Sequence, residues 1–369
     1  MGKPKIDYLW FWRFILLLLV QSVAAQPKGI TDGPYVFYRG DQVVVKSVIK
    51  KNGNYIADSS SFPITKKFNH VLRIHIDDHP EWDFNVKIRK TIINEPATSP
   101  GSDKVFAVSD IEGEFEPFRK LLLRVKVIDS NYNWIFGKGN LLVAGDLFDR
   151  GKQVTQYLWL LYKLEDEAKE KGGAVHVILG NHEIMNLSGD LRYVDVAYYV
   201  NCKTINENYT NLYTENTELG RWLRSKNVIE KDGDFLMVHG GVAQVINKLN
   251  MPLAEINSLC RPYYALPLEQ IPDGKIQLFF DGTTSPFWYR GYFITPKATQ
   301  AQIDSTLAIY QVRQILVGHD IIDHISRLYN NEVIGLDVDE HQGTHEGLLS
   351  ESGVFCRIDD NGLRTILEN

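Results

Sequence analysis

Cysteine is scarce in this chain. Cys202, Cys260 and Cys356 are the only three, spread over 369 residues. Three such residues do not make a disulfide framework. They read as small buried hydrophobes, and if one pair is oxidised outside the cytoplasm the sequence does not say which. Positive charge in excess is missing too. The net charge is −6, which argues against duplex nucleic acid as a partner. No low-complexity tract and no fixed-period repeat is visible, which sets aside repeat architectures. The N-terminal apolar run is too short to span a bilayer comfortably, which weighs against an uncleaved anchor. Phe14–Val20 is short, and Arg13 interrupts its upstream side.

What is present is ordinary globular material, 44% hydrophobic and 23% charged, enough for one large domain or two smaller ones. Lys3, Lys5 and Arg13 precede the short apolar run, and "QSVAAQ" follows it. This is the pattern of a secretory signal over residues 1–25, cut after Ala25. It predicts a periplasmic or secreted mature protein with no stable membrane span after cleavage. Residues 26–100 read as a β-rich module and linker. "YVFYRGDQVVVKSVIKKNGNY" alternates β-branched and aromatic runs with Gly-Asp and Asn-Gly turns. "VLRIHIDDHP" alternates apolar and polar residues, and "NEPATSPGSD" reads as a linker.

Over residues 101–369 the rhythm changes. Apolar runs at Val105–Val108, Leu141–Ala144 and Val175–Leu179 are separated by helical spacing over Phe115–Val127 and Val154–Lys169. This βαβαβ order implies parallel strands with right-handed crossovers. Further strands are expected at Phe235–Val238, Gln314–Val317, Val333–Leu336 and Val354–Ile358. Ile184–Asp232 and Val242–Gly274 read as helical insertions with loops.

Open α/β sheets bind ligands beyond the carboxyl ends of their strands. Five strands here end in chemistry-bearing side chains: Asp110 and Glu112, then Asp146 and Asp149, then Asn181 and His182, then His239, then His319. Taken alone, Asp146 and Asp149 would read as caps of the following helix, and Glu183 reads as stabilising a helix start. Arg150 at a helix N-terminus opposes the dipole, which points towards use. His176, His324, His341 and His345 fall outside the pattern and read as structural or exposed.

The ordered motifs "SDIEG", "GDLFDRG", "GNHE", "VHGG" and "GH" closely resemble those of the calcineurin-like metallophosphoesterases, and "SPFWYRGYF" resembles a loop of the Shewanella-like phosphatases. The resemblance implies an α/β fold, a metallophosphoesterase α/β/β/α sandwich of two packed mixed sheets flanked by helices, preceded by the small β-rich module. It implies two divalent metal ions: manganese first, with iron, zinc or magnesium as alternatives. Asp110, Glu112 and Asp146 would hold one, and Asp146, Asn181, His239 and His319 the other. Arg150 and Arg290 would grip phosphate. His182, supported by Asp149, would protonate the leaving group. The implied reaction is hydrolysis of a phosphomonoester by a metal-bridging hydroxide. The substrate would be a phosphopeptide (Ser/Thr or Tyr) or a small phosphate ester. Dinucleoside polyphosphates and non-catalytic metal or phosphate binding are the alternatives.

One position departs from the family pattern. Where Asp-x-His-Gly is usual, this chain has Asp110-Ile111-Glu112-Gly113. A carboxylate still coordinates divalent ions. Its added negative charge favours harder ions such as Mn²⁺ or Mg²⁺. It also predicts an activity optimum shifted to alkaline pH relative to a Glu112→His variant.

Overall fold

The structure, a computed structural model, describes residues 28–368 except Asp78. The signal read over residues 1–25 lies outside the described residues. Among them, no helix is long and apolar enough to cross a membrane. Cys202, Cys260 and Cys356 are buried free thiols.

The chain begins with a meander of β1 (Asp32–Arg39), β2 (Gln42–Lys51) and β3 (Asn54–Pro63). The turn from β2 to β3 is Asn52-Gly53, with φ of 49° and 78°. Both central residues are left-handed, as a two-residue type I′ hairpin requires. A second hairpin joins β4 (Val71–Ile74) to β5 (Phe84–Lys87). Leu72 and Ile74 face inwards while Val71 is exposed, matching the alternation in "VLRI".

Within the stretch read as a linker, Thr98–Ser99 form a short strand, β6. The expected alternation follows: β7 (Lys104–Val108), α1 (Phe115–Val125), β8 (Asn140–Val143), α2 (Val154–Glu170) and β9 (Ala174–Val177). Next come α3 (Asn181–Ser188), α4 (Val196–Ile205), α5 (Glu218–Arg224), β10 (Ile229–Asp232) and β11 (Phe235–Val238). After α6 (Gln244–Leu249), α7 (Leu253–Cys260) and α8 (Gln300–Tyr310) the chain closes with six strands. These are β12 (Gln314–Val317), β13 (Ser326–Leu328), β14 (Val333–Gly335), β15 (Glu346–Glu351), β16 (Val354–Asp359) and β17 (Arg364–Ile366).

Two six-stranded mixed sheets result, in the orders β17-β16-β15-β7-β8-β9 and β13-β14-β12-β11-β10-β6. β7, β8 and β9 run parallel, as do β11, β12 and β14. Val105, Ala107 and Leu142 turn to one face of the first sheet, where they meet Met237, Leu316 and Ile334 of the second. Phe106, Val108, Leu141 and Val143 turn to the other face, under the helices. Strands covered on both sides need continuous apolar runs, and these have them. The β-rich module shares the outer core: Phe84 stacks near Phe115 and Tyr132, and Trp159 donates to the Pro34 carbonyl at 2.9 Å.

One strand sits where only helix and loop were expected. β10, "IEKD", lies inside the predicted insertion and pairs antiparallel with β11. Its charges hid it, because Glu230 and Asp232 are buried against partners from the other sheet.

Candidate metal centre

The parallel strands deliver their carboxyl ends to one cavity of about 760 Å³. The loop after β7 carries Asp110 and Glu112, and the loop after β8 carries Asp146, Asp149 and Arg150. The loops lace together: Asp110 N–H donates to the Gly145 carbonyl and Glu112 N–H to the Asp146 carbonyl, both at 3.1 Å. Asn181 and His182 open α3 beyond β9, while His239 and His319 follow β11 and β12.

The backbone here is strained. Asp110, Glu112, Asp146, Asp149, Arg150 and His319 all have positive φ, between 44° and 77°. Non-glycine residues rarely adopt this region, and clusters of them mark functional sites. Two glycines let the ligand loops close in. A Cβ on Gly180 would lie 2.1 Å from Asp146 Oδ1, and one on Gly318 would lie 2.1 Å from Asp110 Oδ2.

Asp146 is central. Among the described residues, two sets of potential donors have ligand atoms mutually within 4.8 Å: Asp146, His239 and His319, and Glu112, Asp146 and His182. Asp146 belongs to both. Asp110, expected beside Glu112, is in neither set. Its Oδ2 is held by Ser109 Oγ at 2.5 Å and by His319 N–H at 3.1 Å. His239 donates through Nδ1 to the Ala144 carbonyl at 2.8 Å. That bond sets the tautomer and aims Nε2 at Asp146 Oδ2, 3.1 Å away, and at Asn181 Oδ1, 3.0 Å away. His319 Nε2 is buried with no hydrogen-bond partner.

Electrostatics agree with a seat suited to cations. Burial opposes protonation of His239, but the Asp146 and Asp110 carboxylates outweigh it and raise the imidazole to about 10. Burial and the His239 charge push its neighbour His319 down to about 3. Burial raises Asp110 to about 6, with the Asp146 charge adding to it and His239 opposing. Asp146 is desolvated, yet His239 and His182 hold it well below the usual carboxylate range. An orphaned imidazole nitrogen amid buried carboxylates is the donor chemistry that divalent ions satisfy.

His182 Nδ1 meets Asp149 Oδ2 at 2.5 Å, and Asn186 fixes the other Asp149 oxygen at 2.9 Å. Burial opposes protonation of His182, and the Asp146 charge with the Asp149 bond raises its pKa. Arg150 pairs with Glu112 Oε1 and lies 5.4 Å from the Tyr193 ring centroid. Arg290 pairs with Asp320 at 2.5 Å and donates to the His319 carbonyl at 3.2 Å. All ten residues expected at the site therefore converge. Eight line the cavity. His239 lies fully buried against Asn181 and Asp146, and Asp149 lies behind His182.

One site residue, Asp337, escaped the sequence reading, and two others, Glu183 and His341, do more than it gave them. Glu183 is more than a helix-start charge. Its carboxylate accepts from the amides of Asp146, Leu147, Phe148 and Gly180, at 2.6 to 3.2 Å, and so holds the Asp146 loop. Asp337 lines the cavity, and burial with the Asp110 and Asp146 charges raises it well above the ordinary carboxylate value. It lies just past β14, so the strand-end rule applied to that strand would have found it. His341, read as structural or exposed, also lines the cavity and contacts Glu112. No local sequence signal marks it. His324 and His345 pair with Glu346 and Glu340, and His176 is buried against Glu230.

Two layered mixed sheets that converge on a shared aspartate, imidazoles and cavity-lining arginines define a metal-dependent phosphoesterase. The calcineurin-like phosphoesterase profile matches residues 104–323, and the chain belongs to that family. Shewanella-like phosphatases are among the proteins it resembles. It is 25% identical to Shewanella-like protein phosphatase 2 of Arabidopsis thaliana, over 72% of this chain and 78% of that protein. It is 25% identical to Shewanella-like protein phosphatase 1 of Plasmodium berghei, over 76% of this chain and 78% of that protein. The solved cold-active protein-tyrosine phosphatase of a psychrophilic Shewanella species is 35% identical. It superposes with a TM-score of 0.81, covering 92% of this chain and 99% of that one, an extent that reaches into the β-rich module.

Proposed function

We propose that this chain is an exported protein phosphatase that hydrolyses phosphomonoesters on proteins, with phosphotyrosine its preferred group. The observation that carries this is the cavity itself. Its floor is the donor cluster shared through Asp146, and its walls hold Arg150 and Arg290 beside Tyr193 and Trp288. Guanidinium forks suit phosphoryl oxygens, and aromatic walls suit an aryl leaving group. The Shewanella enzyme is named a protein-tyrosine phosphatase and covers nearly the same length. Export rests on the residue 1–25 pattern.

Asp110, Glu112 and Asp146 would hold one divalent ion, and Asp146, Asn181, His239 and His319 the other. Such ions supply an activated water and offset charge on the phosphoryl oxygens. The added carboxylate of Glu112 favours manganese or magnesium. The chain's own groups do the rest. Arg150 and Arg290 bind and orient the phosphoryl group. Asp149 orients His182, whose Nε2 faces the Glu112 and Asp146 oxygens at 3.6 and 3.8 Å. That nitrogen holds the proton delivered to the departing oxygen. No side-chain nucleophile is needed.

The test is a substrate panel on mature, Mn²⁺-loaded protein: phosphotyrosine, phosphoserine and phosphothreonine peptides, diadenosine tetraphosphate and p-nitrophenyl phosphate. The expected result is the highest kcat/KM on phosphotyrosine peptide, abolished by His182→Asn. Preference for diadenosine tetraphosphate would favour the polyphosphate reading, and no turnover of any substrate would favour binding alone. N-terminal sequencing that began at Met1 would remove the export proposal.

A further inference from the structure

Glu112 raises a problem of geometry. A glutamate in place of a histidine is longer and has more rotatable bonds. It reaches a metal precisely only if something holds one of its oxygens. Across the cavity, the turn at Glu340–Gln342 brings His341 to it. His341 Nε2 lies 2.8 Å from Glu112 Oε2, and Nδ1 lies 3.2 Å from Glu114 Oε1. With the ring proton on Nε2, His341 donates to Glu112 Oε2. The other oxygen, Oε1, faces the donor cluster, 3.6 Å from His182 Nε2 and beside Arg150.

The turn that carries His341 is itself fixed. Glu340 is buried and bonded to His345 Nδ1. Gly343, at φ 92°, ends the turn, and Thr344 N–H returns to the Asp339 carbonyl at 3.1 Å. Ile322 N–H donates to the Asp337 carbonyl at 2.9 Å, which registers this segment against the loop that follows His319. His341 lies beyond residues 104–323, the span of the family match.

We propose that His341 is a positioning residue for Glu112. It holds Oε2 so that Oε1 alone is presented to the first cation. The imidazole absent from the Asp-x-Glu-Gly motif thus returns from a distant turn, as the partner of the glutamate that replaced it. This rests on the reading of Asp110, Glu112 and Asp146 as one cation's ligands.

Calorimetric titration of the metal-free protein with Mn²⁺ tests both, with melting of the metal-free forms as a control for structure. Wild type takes up two ions. His341→Ala keeps one affinity and loses about 10- to 100-fold in the other, while its metal-free melting temperature stays within about 2 °C of wild type. His341→Gln, which can still donate, restores part of the loss. In a Glu112→His background, His341→Ala costs less than about threefold, because the positioned group is gone. If wild type takes up fewer than two ions, the site reading itself fails. If wild type takes up two and His341→Ala leaves both affinities intact, the positioning role is overturned alone. A full loss that persists in the Glu112→His background overturns it as well, since His341 would then act as a ligand on its own. A metal-free melting temperature that falls sharply in both His341→Ala and His341→Gln overturns it in favour of a structural role.

Discussion

A hydrogen atom on Gly180 keeps Asp146 where it is. The ideal Cβ would meet Asp146 Oδ1 at 2.1 Å and the Asp146 backbone nitrogen at 2.6 Å. Backbone cannot swing aside as a lysine tip can, so Gly180→Ala must move the β8 loop or the start of α3. The expected cost is about 1–3 kcal/mol of stability. Displacing the shared carboxylate should also lower Mn²⁺ affinity by roughly tenfold or more. Urea unfolding of the metal-free variant measures the first effect and Mn²⁺ titration the second. An unchanged affinity would mean that Asp146 is not held by this contact. Residues of this kind were legible because glycine beside a strand-end polar residue, as in "GNHE", is a local pattern. His341 was not, since its partner Glu112 is 229 positions away and nothing around "DEHQ" announces the pairing.

At the scale of elements, the two sheets are joined by a buried polar contact as well as by apolar packing. His176 on β9 reaches Glu230 on β10 through Nδ1 at 2.5 Å. Asn140 on β8 donates to both oxygens of Asp232 at 3.0 Å. Burial opposes protonation of His176, but Glu230 and then Asp232 outweigh it and raise the imidazole to about 9. The folded value thus lies above the unfolded value of about 6.5. The contribution is complete below pH 6.5 and is lost as pH rises through about 9, an expected loss of about 3 kcal/mol. Urea midpoints of metal-free protein at pH 6 and pH 9.5 should lie closer together for His176→Gln than for wild type. Equal slopes in the two proteins would exclude the linkage. This contact also explains which strands could be read in advance. β7, β8 and β9 are apolar runs closed by Asp, Gly or Asn, so their physics is local. β10 carries two buried carboxylates whose partners include His176 and Asn140 of the opposite sheet. No window of sequence holds both halves of that contact.

For the whole molecule, the β-rich module and the catalytic sandwich share packing rather than merely adjoin. Tyr35, Phe37, Phe84, Phe115, Trp159 and Tyr213 belong to one buried cluster. Glu218, fully buried, accepts from Tyr162 Oη at 2.6 Å and is also bonded by the Tyr38 hydroxyl. A chain beginning at residue 96 would expose α2 and leave Glu218 without one of its two tyrosine donors. Such a truncation is expected to be insoluble or to lack near-ultraviolet circular dichroism. A soluble, cooperatively melting fragment with full phosphatase turnover would show the module to be dispensable. The short strand β6 has a consequence in time. Thr98 and Ser99 pair with Lys231 and Asp232, and Ser99 Oγ meets the Lys231 carbonyl 132 positions later in the chain. A ribosome releases the first partner long before the second. Until Asp232 emerges, the early segment has no edge to dock against.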